Sequence, residues 1–281
     1  MATAAMNNST DSVTSGESGD WIETLARFGY AAKGVVYMLI GGLAFQLAMG
    51  DGGEAVGPKG AIESLAGGTL GKVMLALMAV GLAGYAVWRF VQAAKDPENK
   101  GSDAKGIASR IGYACSGVVY SAVAVEAVRM IFALGGGSGG GGASHWTRKV
   151  MEWPFGKWLV AAAALGILGA GLYQLYRGYS AKFKKLLKSE EMSADELKWG
   201  ERLGRVGFMA RGVVYLIIGG FLLYAAIKSN PEQAKGVGGA LKYLQEAAYG
   251  PWVLGLIAAG LFAYGAFSAG ILARYRRILA R

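Results

Sequence analysis

The chain has 281 residues, 53% of them hydrophobic and only 17% charged, with a formal net charge of +10. A soluble domain carries about 25% charged residues, so the composition excludes an ordinary soluble fold. A single cysteine, Cys115, excludes an internal disulfide and any multi-thiolate metal site.

Residues Met1 to Asp20 are rich in Ser, Thr, Asn, Gly and Asp, and no Lys or Arg precedes Arg27. This stretch lacks the basic start and apolar centre of a secretory signal. We expect a disordered cytoplasmic tail over 1–20, with the first helix an uncleaved anchor. Six apolar segments follow, at about Ala31–Met49, Leu70–Ala94, Ile111–Leu134, Trp158–Tyr176, Val206–Lys228 and Trp252–Ala273. Each is close to the roughly 20 residues that span a bilayer as a helix. Glycine numbers 46 and proline 5, and each proline (Pro58, Pro97, Pro154, Pro231, Pro251) falls outside the apolar runs. Straight, closely packed helices without proline hinges are the expected result.

The segments repeat. Arg27-Phe28-Gly29-Tyr30-Ala31-Ala32-Lys33-Gly34-Val35-Val36-Tyr37 opens the first. Arg110-Ile111-Gly112-Tyr113-Ala114-Cys115-Ser116-Gly117-Val118-Val119-Tyr120 and Arg205-Val206-Gly207-Phe208-Met209-Ala210-Arg211-Gly212-Val213-Val214-Tyr215 open the third and fifth. On a helix the aromatic and small positions fall at i, i+4, i+7 and i+11, which is one face. Two readings of this face are open: a packing seam between helices, or the lining of a pore. The closing helices share a second motif, Gly81-Leu82-Ala83-Gly84-Tyr85, against Gly169-Ala170-Gly171-Leu172-Tyr173 and Gly260-Leu261-Phe262-Ala263-Tyr264. Each unit is thus a helical hairpin, and two helices per unit make the copies parallel, related by an axis along the membrane normal.

This thrice-repeated pattern resembles the bacterial membrane proteins of the domain of unknown function 1206 family, from about Trp21 onward. The resemblance implies a six-helix integral membrane protein and implies no activity.

The fold class expected is therefore all-α, with six transmembrane helices as three parallel hairpin repeats in a pseudo-threefold arrangement. We divide the chain into a tail (1–20), repeat 1 (21–97), a cytoplasmic linker (98–106), repeat 2 (107–180), a basic amphipathic linker (181–200) and repeat 3 with a basic tail (201–281). Of the 29 basic residues, 20 fall at one set of helix ends, including Arg27, Lys33, Arg89, Arg110, Arg177, Arg211 and Arg274. That bias predicts both termini on the cytoplasmic side and explains the positive charge without a nucleic acid partner; the resemblance implies a bacterial inner membrane.

Among the outer loops, Ala61–Leu65 and Ala240–Leu244 carry a short helical signal, whereas Gly135–Gly142 reads as a flexible tether. In the basic linker, Lys182, Lys184, Lys185 and Lys188 alternate with Phe183, Leu186 and Leu187, which suits a segment lying on anionic lipid. Ser193 and Glu196 read as a capping box that starts a short helix.

Glu126 is the acidic residue well inside an apolar run, and such a group raises a functional hypothesis. Arg129 at i+3 offers an ion pair. Gln46, equivalent to Arg129 in the first repeat, stands at the same level, so Glu126, Arg129 and Gln46 form the candidate polar site around an outer vestibule. Tyr37, Tyr120 and Tyr215 lie about 15 Å in from the opening arginines, and their hydroxyls need partners there; Tyr85, Tyr173 and Tyr264 are candidates. Arg27, Gly29, Gly34, Arg110, Gly112, Gly117, Arg205, Gly207 and Gly212 complete the packing motif, with Gly34, Gly117 and Gly212 the closest approaches. His145, in an outer loop beside Trp146, builds no metal or acid–base site by itself. No catalytic residue, cofactor site or metal site is read from the sequence, and an enzyme is not expected. Two functions remain: a structural or assembly role, with other membrane proteins or self as partner, or a small-solute or ion transporter or channel with its vestibule near Glu126.

Overall fold

The computed structural model describes residues 3–97, 99, 101–132 and 142–276, with side chains from residue 23 onward. The glycine tract from 135 to 141 and the tail residues Arg277 and Arg281 lie outside the described residues. The order of helices is α1 (Thr3–Met49), α2 (Pro58–Glu63), α3 (Gly68–Lys95), α4 (Ala104–Ile131), α5 (Ala143–Met151), α6 (Gly156–Ser180), α7 (Ala194–Lys228), α8 (Val237–Glu246) and α9 (Gly250–Ala266). The last continues through a wide π turn, Phe267–Leu272, to Tyr275. Six helical stretches are long and apolar enough to cross a membrane: Glu23–Met49, Thr69–Lys95, Ala104–Ile131, Gly156–Ser180, Ala194–Lys228 and Gly250–Tyr275.

Several boundaries differ from the sequence reading. The backbone is helical from Thr3, where an unstructured tail was expected over 1–20; no proline interrupts the run to Met49. The Ser193–Glu196 capping box is present, but it starts a continuous 35-residue helix rather than a short one. The helices are not uniformly straight, because the π turn widens the end of α9 without any proline. A short connecting helix also occurs in the middle unit, where α5 follows the glycine tract and carries His145 on a helix rather than a loop.

The short helices lead into the long ones by one repeated device. A Cβ on Gly71, Gly156 or Gly250 would stand 2.1, 2.0 or 1.8 Å from the carbonyl oxygen of Leu65, Val150 or Gln245. Only glycine permits that turn from the preceding segment into α3, α6 and α9.

Packing follows the repeat. The second long helix of each unit lies on the first of the next: α3 on α4, α6 on α7, and α9 on α1. Within units, α1 packs on α3 and α7 on α9. Gly29 and Gly207 make these last two seams close, since a Cβ on either would stand 2.7 or 2.6 Å from the Cα of Tyr85 or Tyr264. Gly34, Gly117 and Gly212 are also points of close approach, against Ala269 with Gly265, the Phe90 ring, and Leu175 with Gly171 respectively. Middle-unit Gly112 departs from the motif, with nothing within 4 Å. Its expected partner Tyr173 is 55% exposed. Among the described residues α4 and α6 form no packed pair of this kind.

The opening arginines act at helix ends. Arg27 donates to the carbonyls of Ala273 and Arg274, and Arg110 donates to those of Ala93 (2.7 Å) and Ala94 (3.0 Å). Each thus caps the carbonyl end of the neighbouring helix, where a cation also suits the helix dipole. Arg205 instead bonds Glu201, at 3.0 Å.

The basic linker is drawn into the protein. Phe183 is fully buried, its ring 5.2 Å from both Phe208 and Phe267, and Leu187 is buried beside it. Lys188 N–H donates to the Tyr275 carbonyl at 2.8 Å, and Lys184 pairs with Glu201 at 2.6 Å. The expectation that Phe183 and Leu187 lie on lipid is corrected: the aromatic pocket between α7 and α9 takes them instead.

Candidate functional site: two cations in a tyrosine cage

Lys33 of α1 and Arg211 of α7 lie deep in the bundle, 3% and 7% exposed. Both stand six residues after their unit's opening arginine, about 9 Å along the helix. The equivalent residue of the middle unit is Ser116. On the closing helices the positions one turn after the shared tyrosine are Arg89, Arg177 and Ser268. The two sets together supply four cations, two serines and no acid.

Tyrosines surround this charge. Lys33 Nζ donates to the hydroxyls of Tyr264 (2.8 Å) and Tyr85 (3.0 Å). It also stands 5.1 Å from the Tyr264 ring centre, 4.9 Å from that of Tyr85, and 5.9 Å from those of Tyr37 and Tyr120. Arg211 donates to the Tyr215 hydroxyl at 2.5 Å, and its guanidinium lies 4.2 Å from the Tyr264 ring centre and 5.1 Å from those of Tyr37 and Tyr215. Arg89 donates from Nε to the Tyr85 hydroxyl at 2.8 Å and from Nη1 to Gln92 at 3.0 Å. The Tyr85 hydroxyl therefore accepts from two cations at once. Arg276, buried at the end of α9, covers the Tyr30 ring at 4.9 Å.

The three equivalent tyrosines meet here: Lys33 Nζ lies 5.9 Å from the ring centres of both Tyr37 and Tyr120, and the Arg211 guanidinium 5.1 Å from those of Tyr37 and Tyr215. The hydroxyls of Tyr85 and Tyr264 serve Lys33. Tyr173 joins none of this, being exposed.

Magnitudes show what the cage does and leaves undone. Cation–π contacts contribute about 0.5–2 kcal/mol each, and hydrogen bonds to a charge about 1.5–3. Together they offset a desolvation cost of several kcal/mol per ion. They do not offset repulsion between the two cations. Their shared contact with Tyr264 puts them at most about 9 Å apart, where an effective dielectric of about 20 gives roughly 2 kcal/mol of repulsion. No aspartate or glutamate is buried among the described residues. Donors also remain unspent. An ammonium has three N–H groups, of which Lys33 uses two, and Arg211 Nε is buried with no partner. Two positive charges and two buried donors thus have no counter-charge among the described residues.

The residues singled out by sequence lie elsewhere. Glu126 stands 3.3 Å from Arg129 and 3.8 Å from Lys59 of α2, on the partly exposed C-terminal end of α4. Gln46 is exposed at the end of α1 and makes no hydrogen bond or ion pair with either among the described residues. Sequence reasoning passed over Lys33 and Arg211 by counting them with the helix-end charges. Their shared offset from Arg27 and Arg205, on the face that carries Tyr37 and Tyr215, was the available signal.

The family model described as Domain of Unknown Function (DUF1206) matches three times, over residues 28–96, 111–181 and 206–276. An uncharacterized protein of Bacillus subtilis (strain 168), YxxB, is 34% identical over 252 residues, which are 90% of this chain and 90% of that protein. No solved structure matches the chain.

Proposed function

The chain belongs to the family of the Domain of Unknown Function (DUF1206), and from that premise we propose that it is a multi-pass protein of the bacterial inner membrane that binds a small anion between Lys33 and Arg211. Both termini are cytoplasmic on this reading, which the distribution of Lys and Arg supports. The three hairpin repeats stand around a pseudo-threefold axis; the recurring pairing of α3 with α4, α6 with α7 and α9 with α1 supports this. Basic residues at the cytoplasmic face favour anionic lipid there.

One observation carries the anion reading: two buried cations share the rings of Tyr37 and Tyr264, with no buried carboxylate beside them among the described residues. An intramembrane charge of this kind marks a ligand or ion path more often than a structural need. Arg89, Arg177 and Arg276 extend the positive field toward the cytoplasmic side, where it would raise the local anion concentration. The role is binding or passage of the anion, without catalysis. It moves the transport reading from Glu126, whose carboxylate already has two cations, to the tyrosine cage.

Thermal unfolding in mild detergent tests this, with chloride, nitrate, sulfate and phosphate compared at equal ionic strength. The proposal expects one of these anions to raise the melting temperature of the wild type by several degrees and to leave Lys33→Met unmoved. Equal responses of the two proteins, or none, would refute it. A structural or assembly role is the second reading, favoured by the unmated faces of α4 and α6.

A further inference from the structure

The seam between the two long helices of a unit is made twice in this chain. In repeat 1, Gly29 meets Tyr85, and the Cβ position of Gly81 falls 2.4 Å from Cβ of Ala32. In repeat 3, Gly207 meets Tyr264, and the Cβ position of Gly260 falls 2.4 Å from Cβ of Ala210. Both seams therefore consist of two small-against-neighbour contacts at fixed offsets.

Repeat 2 carries every part of the same seam. Gly112 matches Gly29 and Gly207, Tyr173 matches Tyr85 and Tyr264, Gly169 matches Gly81 and Gly260, and Cys115 matches Ala32 and Ala210. None of the parts is mated. Gly112 and Gly169 have nothing within 4 Å, and Tyr173 and Cys115 are exposed.

The two helices are held apart by their other faces. On one side, α4 is fixed to α3 by Gly117 against Phe90, and Lys59 of α2 pairs with Glu126. On the other, α6 is fixed to α7 by Gly171 against Gly212 O and by Gly178 against Arg205 O. The connecting helix α5 is tied to the same side by the Arg148–Glu232 ion pair. Closing α4 on α6 within one chain would break these backbone-level contacts.

We infer that a second copy of this chain completes the seam. The complementary faces of α4 and α6 flank one open side of the bundle. A two-fold axis along the membrane normal sets α4 of one copy against α6 of its partner, and α6 against α4, in an isologous interface. The opposite chain directions of α4 and α6 match those in the two seams already made. Small residues allowing close approach are what drive such contacts in lipid, where apolar burial alone does not. This deepens the assembly reading by naming the partner, and it stands apart from the anion site.

The test is disulfide trapping in native membranes, with native Cys115 and Gly169→Cys. The Cβ positions at the sealed seams lie closer than a disulfide's usual separation of about 3.8 Å, so a slightly relaxed seam reaches it. Mild oxidation is expected to give a covalent dimer, absent when Cys115 is also changed to Ala. A disulfide within one chain would show that the bundle closes on itself and would overturn the inference. So would the absence of any cross-link, which would leave lipid covering the seam. As a second measurement, Gly112→Leu should turn the detergent-solubilised dimer into a monomer that still unfolds cooperatively, its melting temperature lowered only by loss of the partner. A dimer that survives this change would also overturn it. Anion binding is read separately, so either proposal can fail alone.

Discussion

Lys33 and Arg211 hold the same position in two repeats, and both charges rest on the rings of Tyr37 and Tyr264. Repeat symmetry thus brings like charges together. If the pair existed only to stabilise the fold, removing one member would be costly. On our account, Lys33→Met relieves repulsion of roughly 2 kcal/mol together with the desolvation cost of a buried ion, and these offset the cation–π and hydrogen-bond contributions it removes. Melting in anion-poor buffer should then shift by no more than about 1 kcal/mol of stability. A loss of about 3 kcal/mol or more would mark Lys33 as structural.

Glycine positions on one helix should separate sharply. A Cβ at Gly34 would stand 2.6 Å from Ala269 N and from Gly265 O, whereas Gly42 has nothing within 4 Å. Gly42→Ala should stabilise by up to about 1 kcal/mol through helix propensity. Gly34→Ala should destabilise by about 1–3 kcal/mol, because backbone must shift. Thermal unfolding of the two variants, side by side, checks both signs.

The linker phenylalanine gives a third test. Phe183 is fully buried between Phe208 and Phe267. Phe183→Ala should cost about 3–5 kcal/mol, whereas a side chain lying on lipid would cost little. Chemical denaturation in mixed micelles reads the difference.

Glu126 should behave as a modest surface partner. Its pairs with Arg129 and Lys59 are partly exposed, so each contributes under about 1 kcal/mol. A double-mutant cycle of Glu126→Gln with Lys59→Met should give a coupling below that value. Glu126→Gln should also leave any anion-dependent melting shift intact, which an outer ligand site at Glu126 would not.

Much of the architecture could be read from the residues. The Arg-x-Gly motif and its spacing announced three hairpins, and six helices long and apolar enough to cross a membrane follow. The close approaches at Gly34, Gly117 and Gly212 followed from the small-residue face. Other features were illegible for physical reasons. A lysine six residues past a helix-end arginine can sit at a membrane surface or turn inward, and composition does not say which. Whether Phe183 faces lipid or protein depends on a pocket built by residues far along the chain. The open α4–α6 side was hidden because repeat 2 carries the seam motif intact; contacts on the other faces of those helices keep the seam apart.

Equilibrium binding of radiolabelled phosphate to the purified protein in detergent, with sulfate, nitrate and chloride as competitors, tests the central claim most directly. The account predicts saturable binding of phosphate, or of the competitor that displaces it, at one anion per chain, weakened at least tenfold in both Lys33→Met and Arg211→Met. No saturable binding of any of the four anions, or binding equal in wild type and both variants, would contradict it.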